Sequence, residues 1–517
     1  MTFEIVFVLL SLLGMVAALV ADKMRPGMIP FSVVVLFLCA GILTPKEMLE
    51  GFSNKGMITV ALLFLVSEGI RQSGTLGQVI KKLLPQGKTT VFKAQLRILP
   101  SVAFISAFLN NTPVVVIFAP IIKHWAKSVN LPATKFLIPL SYVTILGGIC
   151  TLIGTSTNLV VHGMILEAGF EGFSMFELGK VGIFIAIAGI IYIFLFSKRL
   201  LPDARPDTAV PDEEVEEGEK LHRVEAVLGA RFPGINKKLK DFNFQRHYGA
   251  EVKEIKTRNG QRFVSNLEDV VLHEGDTLVV MADDTFIPTW GESSVFVLLT
   301  NGNEPDTTGK KKRWFALLLL VLMIVGATVG ELPVTKEMFP DIKLDMFFFV
   351  SITTIIMAWT NLFPARKYTK YISWDILITI ACAFAISKAM VNSGVADSVA
   401  KFIIGLSDDY GPHVLLAMLF IITNLFTELI TNNAAAALAF PLALSIASQL
   451  GVSPTPFFVV ICMAASASFS TPIGYQTNLI VQGIGNYKFT DFVRIGLPLN
   501  IITFLISIIL IPLIWNF

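Results

Sequence analysis

Charge is scarce in this chain. Of its 517 residues only 15% are Asp, Glu, Lys or Arg, whereas a soluble protein carries roughly 25%. A net charge of +2 leaves little with which to grip a phosphate backbone, so nucleic acid is not expected as a partner. Cysteine is scarce too. Cys39, Cys150, Cys382 and Cys462 lie far apart inside apolar stretches, which argues against a disulfide framework or a CxxC metal pair. The six histidines show no HExxH spacing, and no His/Asp/Ser or metal constellation stands out, so an enzyme and an organic cofactor are not expected. A Thr-Val-Gly-Tyr-Gly-like filter loop is also missing, which weighs against a channel gated by a cytoplasmic domain. What the chain has in excess is apolar surface: 54% hydrophobic residues and a mean hydropathy of +0.68, gathered into runs long enough to span a bilayer.

Residues 3–21 form the first such run. It opens Met-Thr-Phe-Glu without a basic leader, so it reads as a retained span rather than a signal peptide. Further spans are expected at 28–44, 57–71, 134–165, 180–198, 314–330, 346–362, 374–391, 455–486 and 495–515. Two more apolar stretches, 97–125 and 412–448, are interrupted near their middles by Asn110-Asn111-Thr112 and Thr431-Asn432-Asn433. Such a break survives at membrane depth only where protein or a wet cavity serves the freed backbone groups, so both are expected to be re-entrant helical hairpins with the polar cluster at the tip. Basic residues set the orientation. Lys23 and Arg25, Lys81 to Arg97, Lys198 and Arg199, and Arg366 to Lys370 all fall on one side if the N-terminus is outside. The positive-inside rule then makes that side cytoplasmic, with both termini outside and residues 200–313 inside, in a plasma (inner) membrane.

The segment 200–313 alone has a soluble composition. An acidic linker, Pro202 to Lys220, leads into strands expected at Val224–Leu228, Gly249–Lys256, Arg262–Val264 and Asp276–Met281, with a helix around Lys237–Asp241. Asn259-Gly260 signals a hairpin turn. The pattern Leu239-x-x-Phe242 followed by Leu272-x-x-Gly275-Asp276-x-Leu278-x-Val280 resembles the C-terminal regulatory subdomain of potassium-transport and conductance-regulating proteins. That resemblance implies a small α+β domain with a core at about 221–290, serving either as a scaffold or as the seat of a regulatory ligand. The chain thus divides into a first membrane repeat (1–199), the cytoplasmic linker and TrkA-C-like domain (200–313), and a second membrane repeat (314–517).

Those two membrane parts repeat one another. Thr151-Leu-Ile-Gly-Thr-Ser-Thr-Asn158-Leu-Val-Val-His-Gly163 matches Thr471-Pro-Ile-Gly-Tyr-Gln-Thr-Asn478-Leu-Ile-Val-Gln-Gly483 at a constant shift. Upstream, Ser106-x-x-x-Asn110-Asn111-Thr112 aligns with Thr427-x-x-x-Thr431-Asn432-Asn433, and Gln72-Ser73-Gly74 with Asn392-Ser393-Gly394. Each half therefore holds three spans, a hairpin, a span with a polar break and a last span. Five full crossings is an odd number, so the halves face opposite ways. The fold class expected is an all-α polytopic membrane protein of two inverted repeats with a small α+β insert, the plan of secondary transporters with a midplane site.

In each half a hydroxyl, Ser106 or Thr427, sits one helical turn before the tip cluster. Hydroxyls, Asn carbonyls and freed backbone carbonyls are hard oxygen donors that suit Na⁺. The helix restarting after each break offers unpaired N–H groups and a positive dipole end to an anion. Neither cluster contains Lys or Arg, so anion binding is expected to depend on Na⁺. Glu68 and Lys388 occupy equivalent positions and read as an intramembrane ion pair, with a proton-linked site as the alternative, and Glu428, the ionisable residue nearest the site, is a candidate to carry protons in place of sodium.

The tip clusters and the paired Thr-x-Ile-Gly-x-x-Thr-Asn segments resemble the divalent anion/sodium symporter family of the ion transporter superfamily. The resemblance implies a homodimer with an elevator motion that carries sulfate, citrate or a dicarboxylate with Na⁺. It also implies sodium sites at Ser106, Asn110, Asn111 and the backbone near Cys150, and at Thr427, Thr431, Asn432 and the backbone near Ser470. The substrate would touch Asn110, Asn111, Thr112, Thr431, Asn432, Asn433, Thr151, Thr471 and Pro472. The family's tips read Ser-Asn-Thr, so these departures leave the anion open. Mid-chain inserts of this sort tilt the choice towards a sulfate-like oxyanion. Proton-coupled or exchange transport of di- or tricarboxylates and arsenite-type efflux are the alternatives.

Overall fold

At membrane depth every backbone group must find a partner within the protein, and the apolar runs answer by forming helices. The computed structural model describes the chain apart from residues 1–2, 22–23, 25–26, 86, 204–220, 230, 258–260, 284–285, 291–294, 301–308 and 407–410. The first half runs α1 (Phe3–Ala21), α2 (Met28–Cys39), α3 (Lys55–Gln72), α4 (Val91–Ser106), α5 (Asn111–Ser128), α6 (Leu137–Gly148), α7 (Ser156–Glu167) and α8 (Gly179–Leu200). The second half runs in the same order: α9 (Lys310–Gly330), α10 (Met346–Trp359), α11 (Trp374–Asn392), α12 (Gly411–Leu429), α13 (Asn432–Leu450), α14 (Thr455–Ser466), α15 (Gln476–Gly485) and α16 (Phe489–Ile514). Among the described residues eight helices are long and apolar enough to cross a membrane. Shorter apolar helices include α6 and α14, the first arms of the two stretches expected to carry a polar break.

The packing of the two halves is reciprocal. α2 packs on α11 and α10 on α3; α5 packs on α15 and α13 on α7; α8 and α16 pack on each other. One apolar core, from Val8 to Trp515, runs through both halves. Lys55 at the start of α3 pairs with Asp345 just before α10, a further link across them. The expected Glu68–Lys388 pair does not form. Glu68 instead receives Arg71 through both carboxylate oxygens at 2.6 and 2.7 Å, and Gln72 at 2.6 Å, all on its own helix.

The insert folds as an antiparallel sheet of β1 (His222–Leu228), β2 (Glu251–Lys256), β3 (Arg262–Phe263), β4 (Thr277–Ala282) and β5 (Phe296–Thr300), in the order β3-β2-β4-β1-β5. β5 is an addition to the strands read from sequence. The helix expected at Lys237–Asp241 is a single 3-10 turn, Leu239–Asp241, followed by a short helix, Phe244–Tyr248. Its core is aromatic: Phe232 stacks among Phe242, Phe244, Tyr248 and Phe296. Asn259-Gly260, Lys23, Arg25 and most of the linker Pro202–Lys220 lie outside the described residues.

The insert docks on membrane helices that reach the polar breaks. Lys123 of α5 places Nζ 2.8 and 2.9 Å from the two oxygens of Glu225 on β1. On the other side, Gly275 and Thr277 of the β4 region meet Leu479 and Gly483 of α15.

Candidate functional site

Each break is made by one extended residue ahead of a new helix. Asn110 (φ −54°, ψ 139°) precedes α5 and Thr431 (φ −73°, ψ 149°) precedes α13; neither side chain caps the helix it introduces. Thr155 (φ −138°, ψ 145°) and Tyr475 (φ −132°, ψ 128°) do the same for α7 and α15. The first N–H groups of these four helices therefore have no partner in the preceding helical turn.

A matching set of hydrogen bonds holds each break. Asn158 Nδ2 donates to Thr151 O at 2.9 Å and to Gly148 O at 3.5 Å. Asn478 Nδ2 donates to Thr471 O at 3.1 Å and to Ser468 O at 2.8 Å. The Thr151 hydroxyl bonds Ala107 O and accepts from Gly154 N; the Thr471 hydroxyl bonds Glu428 O and accepts from Gly474 N. The Asn and Thr of the repeated segment thus close the break and tie it to the hairpin of their own half. A Cβ on Gly154 would overlap Gly148 O, and one on Gly474 would overlap Ser468 Oγ and Thr427 O, so both turns require glycine.

Each tip also reaches the broken helix of the other half. Asn111 Nδ2 donates to Tyr475 OH at 2.6 Å, and Thr112 Oγ1 to Gln476 Oε1 at 3.3 Å. In return, Ser156 and Thr157 hydroxyls donate to Asn433 Oδ1 at 3.3 and 3.2 Å. Tyr475 is 8% exposed. Its hydroxyl also meets Thr155 Oγ1 at 3.1 Å and hydrogen-bonds Asn432, so it stands between the central Asn of both tips.

The residues singled out from sequence fall into three groups. Asn111, Thr112, Asn432 and Asn433 converge where the halves meet. Asn110 and Thr431 each line a small cavity, with Ser67 and Ser156 in the first case and Thr379 in the second. Thr151 and Thr471 have their hydroxyls committed to backbone, which makes them builders of the turn, and Pro472 is buried next to Thr471. Of the remaining oxygen donors, Ser106 Oγ donates to Asn111 Oδ1 at 2.7 Å and Thr427 Oγ1 to Ala465 O at 2.6 Å. Both hydroxyl oxygens keep lone pairs for a cation. Cys150 offers only its carbonyl as a hard donor, since its thiol lies 3.3 Å from Leu146 O. Ser470 donates its backbone N–H to Glu428 at 2.8 Å and accepts Asn500 Nδ2 at 2.9 Å on its hydroxyl.

Sequence reasoning passed over Tyr475, Ser468 and Asn500. Only Tyr475 carried a signal, as the one bulky departure from the repeated segment, standing where the first half has Thr155. These hydrogen bonds at the tips come from hydroxyl, amide and phenol groups, so the chemistry they offer is binding by neutral donors.

The profile of the citrate transporter family matches residues 16–448 and 342–516. An uncharacterized transporter of Synechocystis is 30% identical over 94% of this chain and 93% of its own length. Sodium/sulfate cotransporter 1 of Chlamydomonas reinhardtii is 22% identical over 93% of this chain and 86% of its own. The Na(+)/citrate cotransporter of Rattus norvegicus is 29% identical over 25% of this chain and 23% of its own. Repeated polar breaks in a multi-pass helical membrane protein and a family match that covers both halves agree: the chain belongs to the citrate transporter family and is a transporter, not an enzyme.

Proposed function

We propose that the chain is a sodium-coupled symporter of a small divalent anion, with a sulfate-like oxyanion preferred. The observation that carries this reading is the crossing of the tips. Asn111 and Thr112 of one half bond Tyr475 and Gln476 of the other, while Asn433 bonds Ser156 and Thr157. An anion entering there would exchange these neutral hydrogen bonds for its own, at a cost of about 1 kcal/mol each. Four helix N-termini pointing towards the region would supply the positive potential that side chains do not. Compensation of a double negative charge then falls to cations bound on Ser106, Asn110, Asn111 and the Cys150 carbonyl, and on Thr427, Thr431, Asn432 and Ser470. Anion affinity and sodium affinity are linked by that charge, and each raises the other by the same factor.

The relatives support the same direction, since one is named a sodium/sulfate and another a sodium/citrate cotransporter. The family description favours a second reading, in which a di- or tricarboxylate occupies the site. Under either, the two repeats are inverted and shuttle by an elevator motion in a homodimer of the plasma membrane, with both termini outside and residues 200–313 cytoplasmic as a regulatory module.

Counterflow in proteoliposomes decides between the substrates. Labelled sulfate is loaded against sulfate, succinate or citrate, with Na⁺ or with choline at equal ionic strength. The expected outcome is sulfate exchange that requires Na⁺ and vanishes in Asn111→Ala/Asn432→Ala. Uptake indifferent to Na⁺ but driven by a pH gradient would refute the coupling. Unchanged transport in the double variant would refute the site.

A further inference from the structure

The two repeats carry different side chains at the point where they meet. Thr155 and Tyr475 hold the same place in the repeated segment, each the last residue before its helix restarts. Their hydroxyls lie 3.1 Å apart, so these equivalent positions touch across the two halves. A threonine hydroxyl stands directly on Cβ, whereas the tyrosine hydroxyl lies a whole ring further out. From the second half alone, therefore, an oxygen is carried into the space between the hairpin tips. There it meets Asn111 Nδ2 at 2.6 Å and hydrogen-bonds Asn432, the central Asn of the other tip. The Asn111 amide is held in that direction, because its Oδ1 accepts Ser106 Oγ at 2.7 Å.

One oxygen thus collects both tips, and that limits how far apart they stand. Two groups bonded to a common oxygen are separated by at most two hydrogen-bond lengths, about 6 Å. A dicarboxylate spanning the tips would place one carboxylate at each and run its carbon chain between them, where the Tyr475 side chain ends. Tyr475 is buried, so moving the ring aside would disturb close-packed surroundings. A tetrahedral oxyanion has no chain to accommodate. Its oxygens surround a single atom, so it can take donors from both tips at once while the phenol O–H turns to donate to it.

We propose that Tyr475 sets the specificity of the anion site: its ring excludes dicarboxylates, and its hydroxyl donates to a compact tetrahedral oxyanion. The proposal rests on the sulfate-like reading above and names the side chain that enforces it. Ring and hydroxyl have separable roles. Tyr475→Phe keeps the ring and loses the donor. Tyr475→Thr gives the second half the side chain that the first half has at Thr155, and opens the path that a carbon chain needs.

The test uses the full-length protein in proteoliposomes, with Na⁺-driven uptake of labelled sulfate competed by unlabelled sulfate, oxalate, malonate or succinate. In the wild type the half-inhibitory concentration should rise along that series, as each lengthening of the anion fits less well. In Tyr475→Thr the ratio of the succinate to the sulfate value should fall about tenfold or more, the range in which a site discriminates small changes of fit. Labelled succinate should then be taken up as well. Tyr475→Phe should raise the half-saturating sulfate concentration while succinate stays excluded. A purely structural role would lower sulfate uptake and leave the ratio where it was. If Tyr475→Thr does not fold, Tyr475→Leu, which is also shorter than the ring, carries the same comparison. An unchanged ratio in these variants, or succinate competing as well as sulfate in the wild type, would overturn the proposal and leave sodium-coupled sulfate transport intact. A wild type without Na⁺-dependent sulfate uptake would instead overturn the sulfate-like reading itself.

Discussion

Lys123→Ala tests how firmly the mid-chain insert is tied to α5. Lys123 lies in the second half of α5, the helix that begins at Asn111, and its ammonium lies within 2.9 Å of both oxygens of Glu225. Lys256 of β2 stands 3.5 Å from the same carboxylate. Burial pushes the Glu225 carboxyl up, but Lys123 first, then Lys256 and Arg223, outweigh it and hold it at about 2 against an ordinary 4.5. That fall is worth about 3 kcal/mol in favour of the charged form. Lys123 is the largest of the opposing charges, so Lys123→Ala should cost about 1–2 kcal/mol of docking, with Lys256 left as partner. Glu225→Ala should cost more, about 3 kcal/mol, because it removes the carboxylate that both ammonium groups share.

The readout is hydrogen exchange at β1 and the last turns of α5, which reports the free energy of local opening. A double-mutant cycle between the two alanine variants should give a coupling of about 1–2 kcal/mol, and the swap Lys123→Glu/Glu225→Lys should recover part of the loss. If the module steers transport through this contact, anion uptake should change in step with β1 exchange. Additive effects in the cycle, with β1 exchange unchanged, would refute the reasoning by showing that the pair carries no docking energy.

The same carboxylate sets a pH window. Because its folded value lies below its unfolded one, its stabilisation is complete above about pH 4.5 and fades as pH falls towards about 2; the opening free energy of β1, from exchange corrected for its intrinsic pH dependence, should therefore be flat from neutral pH to about 5 and fall below it, and Lys123→Ala should move the fall upward. Gly154→Ala and Gly474→Ala each force a Cβ onto backbone or Ser468, and overpacking of this kind costs about 1–3 kcal/mol. Both should lower the thermal midpoint and abolish uptake; wild-type uptake in either would mean that the turn is looser than described. Tyr475→Phe leaves Asn111 Nδ2 without its acceptor, a loss of about 1–3 kcal/mol where the amide stays buried. It should weaken anion affinity more than it slows turnover, and an unchanged half-saturating anion concentration would count against a central role for Tyr475.

How much of this was legible in the sequence depends on how each feature is encoded. Spans such as 180–198 and 374–391 are long apolar runs and correspond closely to α8 and α11. The polar breaks were legible because two independent segments carry the same Asn and Thr at the same spacing, so each vouches for the other. β5 was not, because Phe296–Thr300 is an apolar run without alternation, close in sequence to the next membrane helix. Asn500 was invisible for a different reason: it is one amide in a 26-residue, largely apolar helix, and only folding brings it to Glu428. The Glu68–Lys388 expectation failed on geometry. Equivalent positions in two repeats occupy matching places in different halves, and they touch only when they lie near the common axis, whereas Arg71 was one turn away on the same helix.

Symmetry and its breaking have separate roles in this site. The bonds that repeat, Asn158 and Asn478 to their own backbone and Thr151 and Thr471 to their own hairpin, build two similar frames. A frame that is merely doubled would bind an anion and its cations with no preferred order. The bonds that do not repeat supply the distinction. Tyr475, standing where the first half has Thr155, fills the centre between both tips from one side only, and Glu428 with Asn500 puts a carboxyl group and its amide partner in one half only. Both departures belong to the second half, on helices α12 and α16 and the turn before α15. Conformational coupling needs an element whose two states a ligand distinguishes, and a ligand can distinguish the two halves here only through residues that differ between them. The second-half departures are therefore where substitutions should change sodium coupling, while substitutions in the shared frame should change folding and transport together.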